Sequence, residues 1–397
     1  MRPAPELPLA GITVVEVAGG AAAAYCGRLL ADAGAGVVVA AAGGGQRAGG
    51  LARVASPAES AYAAYLSAGK RTAVAADPQA LQRLCREVDL VLVGEDAGCD
   101  AGVLAPRRAT LALHWFDPRG AYSGWRGSDL VVQALTGMPQ MAGTVEGPPL
   151  YCGDRHSTMV AGVTAYIAAV SALLAPPAPA PRRFEIGIFE ANLVISEMHM
   201  HFFERDGVPM KRYGINRFHP NGPVGVYPCK DGWVGITATT PEQWKSLCTM
   251  LEMHEEGADE GLATRERRFD RRDEVERTMA RMLAARSAAE WARLGRRHRV
   301  PVVVVPDARG ILEHPVFAER EALAAFAFDG RDYRVPRTPF GLSRTPLRGR
   351  LDGEAVHGET RDDGLHRERQ AFRAAGSGAD EAPRTGRADA GHRAASP

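Results

Sequence analysis

Asp154, His156 and Thr158 bring a carboxylate, an imidazole and a hydroxyl within five positions of one another, between Pro149 and Gly162. In extended backbone the three side chains fall on one side of the chain. A relay then becomes available, with the carboxylate orienting the imidazole and the imidazole accepting a proton from the hydroxyl or a substrate. In helical backbone Asp154 and Thr158 share a face instead. The structural alternative is that Asp154 caps a helix beginning near Ser157 and His156 lies on its rim. An unactivated threonine hydroxyl is a poor nucleophile near neutral pH. His114 ends a strand, where open α/β sheets often bind ligands, although an ordinary loop histidine fits as well. His199 and His201 would point roughly 200° apart on a helix, which makes them poor partners for one metal ion, and no metal site is expected.

These residues need elements to hold them. Residues 11–17 are compact and β-branched, as a buried strand requires. Small residues then lead into a helix over 25–32, ended by Gly34 or Gly36 before a second strand at 37–39. This β-α-β start, with further strands at 90–93, 110–113 and 184–188, predicts an α/β fold with a doubly wound, Rossmann-like large domain. Ser128 caps a helix to 135, a long small-residue helix spans 159–174 and stops at Pro176, and another helix covers 190–203. Beyond Gly207 the sequence turns loop-rich. Residues 233–237 read as an edge strand, Thr240 and Gln243 as a capping box, and charged helices between 265 and 299 precede a strand-like run at 300–305. The expected division is 1–214 for the main part of the large domain and 215–320 for a smaller α+β domain. A return segment at 321–375 and a disordered tail at 376–397 complete it.

Composition narrows the partners. The 397 residues carry a formal net charge of +1, which gives no reason to expect nucleic acid or an acidic membrane surface. The arginines from 265 to 272 are interleaved with Glu266 and Asp270, as on a solvated helical face. Six cysteines without metal-ligand spacing fit a reduced, cytoplasmic protein, and the N-terminal residues lack the pattern of a signal peptide.

Several stretches, taken in order, carry a family likeness. They are Pro8 to Val17, Leu29 to Ala35, Ser67 to Arg71, Asp129 to Gly137, Gly225 to Trp233 and Ile311 to Phe317. On these the chain resembles the family III coenzyme A transferases, the group that also holds the alpha-methylacyl-CoA racemases. The resemblance implies an interlocked homodimer whose large domain binds coenzyme A, with an acyl thioester as substrate and no covalently bound cofactor. The lack of a Gly-x-Gly-x-x-Gly run after the first strand agrees with a domain that binds no dinucleotide. Such transferases use one aspartate to attack the acyl-CoA and form a mixed anhydride. The matching position here is Thr158, which cannot form one, so the chain reads as a diverged member lacking the usual aspartate. Asp154 is the carboxylate that stands nearest in sequence.

Other departures follow from the same likeness. Ser67 and Ala68 replace an Asn-Arg pair, leaving Lys70 and Arg71 to meet phosphate or adenine. Gln133 and Gln140 fall in the segment that lines the coenzyme site, and no histidine stands there for racemase chemistry. Gln140 can hydrogen-bond a carbonyl but cannot take a proton. The stiff run from Asn216 to Pro223 occupies the place of a glycine-rich loop. The expected function is therefore an acyl-CoA-dependent transferase with Asp154, His156 and Thr158 at its centre. The alternatives are an isomerase or related enzyme using His156 as base, and a ligand-binding homologue without catalysis.

Overall fold

Apolar side chains alternate along the first strands as a sheet covered on both faces requires. Val14, Leu90, Leu92, Leu111 and Leu113 join the core on one face, and Val15, Val17, Val91, Val93 and Ala112 join the core on the other. The computed structural model describes residues 7–17, 19–42, 57–75, 77–153, 155–209, 211–345, 347, 351–352 and 359–360. The first part contains β1 (Thr13–Val17), α1 (Ala21–Asp32), β2 (Gly36–Ala42), α2 (Pro57–Ser67), β3 (Arg71–Ala75), α3 (Pro78–Arg86), β4 (Leu90–Val93) and β5 (Ala109–His114). There follow α4 (Asp129–Leu135), α5 (His156–Leu174), β6 (Arg182–Gly187), α6 (Ile188–Leu193) and α7 (Glu197–Asp206). The second part contains β7 (Val224–Pro228), β8 (Trp233–Thr237), α8 (Pro241–Leu251), α9 (His254–Ala258), α10 (Arg265–Asp270), α11 (Arg272–Leu283), α12 (Ala288–His298) and β9 (Val302–Val304). The last elements are α13 (Ala308–Leu312), α14 (Pro315–Glu319), β10 (Leu323–Phe328), β11 (Arg331–Pro336), β12 (Leu351–Asp352) and β13 (Glu359–Thr360).

Seven parallel strands form the large sheet in the order β13-β3-β2-β1-β4-β5-β6. The chain leaves β1 in one direction and, after β3, resumes at β4 on the other side of β1. The gap between β1 and β4 is the switch point of a doubly wound sheet. The strands expected at 11–17, 37–39, 90–93, 110–113 and 184–188 all lie in this sheet. The strand β3 was not foreseen, because its run is only five residues long and starts on an exposed arginine.

Small residues let α5 lie directly on α1. A methyl group added at Gly162 would stand 2.8 Å from the Ala22 carbonyl oxygen, and Ala161, Ala165, Ala169 and Ala172 are buried along the same helix. By length and composition α5 is apolar enough to cross a membrane; its buried alanines face the core, while Val163, Ile167 and Leu174 are exposed. The helix begins at His156, not at 159, because its first turn is capped from α4. The helix expected over 190–203 is divided into α6, a 3-10 turn at Val194–Ser196, and α7.

A smaller antiparallel sheet, β7-β8-β9, packs under α8, α11 and α12 around Trp244, Leu247, Met279 and Trp291. The expectation that 233–237 is an edge strand is corrected, since β8 lies between β7 and β9 with Val234 and Ile236 buried. The capping box of Thr240 and Gln243 opens α8. The chain then returns to the large domain. Phe326 of β10 packs on Ala64 of α2 and on Ala68 just after it, Thr338 donates to Asp32 Oδ2 at 3.1 Å, and β13 pairs with β3. The expected tail at 376–397 lies outside the described residues.

Candidate active site at the start of the long crossover helix

Where α5 begins is dictated by the strands it joins. It crosses from β5 to β6, so it runs against their direction. At its far end Arg108, just before β5, donates to the Leu173 carbonyl at 3.1 Å. At its start Asn192, just after β6, donates to the Ser157 carbonyl at 3.1 Å. The first turn of α5 therefore emerges at the carboxyl edge of the sheet, where open α/β folds bind ligands.

The turn is assembled from three segments. Arg155 adopts a left-handed conformation, φ 70°, and His156 opens the helix, so His156 and Thr158 stand in helical and not extended backbone. Asp129, the first residue of α4, supplies the cap: its Oδ1 accepts from the Ser157 amide at 2.7 Å and the Thr158 amide at 3.3 Å. Its Oδ2 accepts from Gln133 Nε2 at 2.8 Å and from the Tyr151 hydroxyl at 3.3 Å. Thr158 is buried, and its hydroxyl donates back to the Arg155 carbonyl at 3.1 Å. His156 is exposed, with its ring over Gly153. The Arg155 guanidinium lies over the Tyr62 ring, 4.2 Å from its centroid, and the Tyr62 hydroxyl reaches Met159 Sδ at 3.6 Å. Asp154 lies outside the described residues.

The remaining candidates divide by what they touch. Lys70 is only 2% exposed, and its ammonium donates to Glu16 Oε2 at 2.6 Å and to the Ala24 carbonyl at 2.7 Å. Burial pulls its pKa below the ordinary lysine value while Glu16 opposes the shift. Gly27 makes room for this pair, since a methyl group there would stand 2.2 Å from Glu16 Oε2. The charge of Lys70 is thus engaged inside the fold rather than presented to a phosphate. Gln133 is 1% exposed and also fully engaged, donating to Asp129 and to the Gly153 carbonyl at 3.0 Å and accepting from the Cys152 amide at 3.3 Å. Arg71, at the start of β3, and Gln140, in the 3-10 turn Met138–Met141, are exposed. His114 Nε2 lies 2.6 Å from Glu185 Oε2 at the ends of β5 and β6. Among the described residues no group of three or more His, Cys, Asp or Glu could hold a metal ion.

Two carboxylates were missed by reading the sequence. Asp129 is one. The other is Glu95, whose carboxylate sits at the switch point and accepts from the Ala22 amide at 2.9 Å and the Ala23 amide at 3.4 Å. It fills the anion seat that a helix N-terminus offers, and α1 has no cap from its own N-cap residue, Gly20. Burial pushes the Glu95 carboxyl up to about 7, against the lowering effect of the two amides. The signal in the sequence was a glycine pair where α1 needed a capping side chain, with an acid just after the adjacent strand.

A parallel sheet with this switch point, a smaller antiparallel domain and a crossover-helix site define a class. A family model described as CoA-transferase family III matches residues 9–353, and the chain belongs to that family. It is an acyl-CoA-dependent transferase of the family III type, with coenzyme A thioesters as its substrate class. It is similar to the succinate–glutarate CoA-transferase of Agrobacterium fabrum, 26% identical over 377 residues that cover 86% of this chain and 91% of the relative. It is also similar to the succinyl-CoA:mesaconate CoA-transferase of Haloarcula hispanica, 26% identical over 340 residues, 78% of this chain and 83% of the relative. Among solved structures, a CAIB/BAIF family protein from Brucella suis superposes with a TM-score of 0.72 at 20% identity, covering 92% of this chain and 100% of that one. At that identity the likeness is one of fold.

Proposed function

We propose that this enzyme passes coenzyme A from an acyl thioester to a second carboxylic acid at the first turn of α5, with Asp154 as the acyl carrier. The Asp154 carboxylate attacks the thioester carbonyl, the C–S bond breaks, and the coenzyme thiolate leaves behind a mixed anhydride. The thiolate then attacks the aspartyl carbonyl and releases the first acid. The carboxylate of the second acid attacks the aspartyl thioester and expels the thiolate to form a new anhydride, and that thiolate then attacks the anhydride at the second acid's acyl carbon, which frees Asp154. One observation supports this reading above the others. At the turn where the family resemblance puts the carrier, the Thr158 hydroxyl is buried and turned to backbone, so it is not the nucleophile. The exposed imidazole of His156 at the rim favours a second reading, a general base that removes the proton alpha to the thioester.

In the proposed complex Arg71 and Gln140, both exposed, meet the coenzyme, and Lys70 and Gln133 hold the scaffold. The domain division at 214, 320 and 375 belongs to the same reading, supported by the pairing of β13 with β3. We take the working form to be an interlocked homodimer in the cytoplasm. No residue of α7 is buried in the single chain, while Met198, Met200 and Phe203 on it are exposed and apolar, as an uncovered subunit contact would be. The six cysteines are free, as in a reducing compartment.

The relatives named above are described as acting on dicarboxylic acids, so succinyl-CoA and labelled glutarate are the first probes. Trapping with hydroxylamine during turnover is expected to modify Asp154. Unmodified protein that exchanges the alpha proton with solvent overturns the carrier assignment in favour of His156.

A further inference from the structure

We infer that Tyr122 and Trp125 form a stacking shelf for the exchanged acid, so that this transferase takes carboxylic acids ending in a planar ring, a substrate class that rests on acyl transfer at the first turn of α5. The shelf stands in the loop between β5 and α4. Its floor is Phe116, 5% exposed, in edge contact with the Tyr122 ring at 5.6 Å and with the Trp125 ring at 6.2 Å. The Tyr122 and Trp125 rings lie against each other, 4.3 Å between centroids and inclined by 38°. Phe189 of α6 closes the back, 5.9 Å from Phe116 and 6.4 Å from Tyr122. Hydrogen bonds fix the loop that carries the rings. The Trp125 amide donates to the Tyr122 carbonyl at 2.9 Å, and the Phe189 amide donates to the Trp115 carbonyl at 3.1 Å.

On this scaffold Trp125 is left 54% exposed, an unusual position for a side chain that gains so much from burial. The exposed residues beside it in the loop are Ser123, Gly124 and Arg126, so small and polar groups surround the ring. A stable protein contact covers about 800 Å² on each partner, whereas one aromatic side chain supplies about 150–250 Å². A lone aromatic face in polar surroundings therefore suits one planar group of a small molecule. Two connections tie the shelf to the reacting turn. Trp125 precedes Asp129, whose carboxylate accepts from the Ser157 amide at 2.7 Å, by four positions. Phe189 precedes Asn192, which donates to the Ser157 carbonyl at 3.1 Å, by three positions of α6. Four residues of chain span at most about 14 Å, and three helical residues rise about 4.5 Å. A chain of a few methylenes is enough to join a carbonyl at that turn to a ring on the shelf.

Calorimetric titration of the full-length protein with ω-phenylvaleryl-CoA and ω-cyclohexylvaleryl-CoA tests the shelf, because the two thioesters differ only in the terminal ring. The phenyl thioester should bind about fivefold tighter than the cyclohexyl one. Trp125→Leu should abolish that preference, and Trp125→Phe, which keeps a ring, should retain part of it. In exchange from succinyl-CoA, kcat/KM for ω-phenylvalerate relative to glutarate should fall about fivefold in Trp125→Leu. Equal affinities in the wild type, or no binding of either thioester, overturn the shelf, as does a preference that survives in Trp125→Leu. Equal weakening of both thioesters and of free coenzyme A in that variant also overturns it, since the ring then serves the coenzyme or the fold. A smaller mass for Trp125→Leu by light scattering overturns it in favour of a subunit contact. The titrations need no turnover, so full activity in Asp154→Asn would overturn the acyl carrier and leave the shelf to be decided by them.

Discussion

The Thr158 hydroxyl donates to the carbonyl of Arg155, so it closes its own helical turn instead of facing a substrate. Restoring an acid there is the most direct chemical test of the scaffold. Thr158→Asp is expected to raise succinyl-CoA:glutarate exchange by at least about 10-fold and to move the hydroxylamine-trapped label to residue 158. An unchanged rate and label position would contradict it. Glu95 carries a different expectation. Its carboxyl titrates near 7 rather than at the ordinary 4.5, chiefly through burial, so the folded protein keeps a proton that the unfolded chain has released. Between those two values stability must fall as pH rises. Melting curves from pH 5 to 8 should show that decline in the wild type and a flatter profile in Glu95→Gln. The reactive trio at 154–158 was legible because its members are neighbours in sequence. Asp129 and Glu95 were not, because their partners are 28 and 73 positions away and only the fold brings them together.

Elements were legible where one physical signal dominated. The apolar strands, the Ser128 cap and the Thr240–Gln243 box were read from local residues and occur in the structure. The start of α5 was misread because its cap comes from another helix, and β8 was misread because the strand that covers its second edge, β9, lies over sixty residues downstream. Lys70 shows the same limit, since its sequence context suggests a phosphate ligand while its partner, Glu16, lies on β1. Removing one member of a buried pair leaves an uncompensated charge and costs about 3–5 kcal/mol. Lys70→Met should accordingly lower the melting temperature sharply, and the double variant Lys70→Met/Glu16→Leu should recover most of it. In that double variant KM for the thioester should stay within about twofold of wild type. A large rise in KM with unchanged stability would instead return Lys70 to the coenzyme site.

At the scale of the whole molecule, the order of strands and helices read from the sequence recurs in the large parallel sheet and the smaller antiparallel domain. The apolar surface of α7 is unexplained in a single subunit. On the proposal that this surface is a subunit contact, Met198→Asp combined with Phe203→Asp should lower the mass measured by light scattering relative to wild type, since a charge there has no counterpart. Wild-type protein that elutes with the mass of one chain would dispose of the dimer.

The return of the chain to its first sheet has a consequence for biosynthesis. Asp32 receives its bond from Thr338, 306 positions later, and β3 acquires its outer neighbour only from β13. A ribosome that has delivered the first two hundred residues has therefore left β3 as a bare margin of the sheet, at the opposite edge from β6 and open to foreign chains. That margin meets its partner only once residues 359–360 have been made, which makes products cut short before them candidates for aggregation and for chaperone capture.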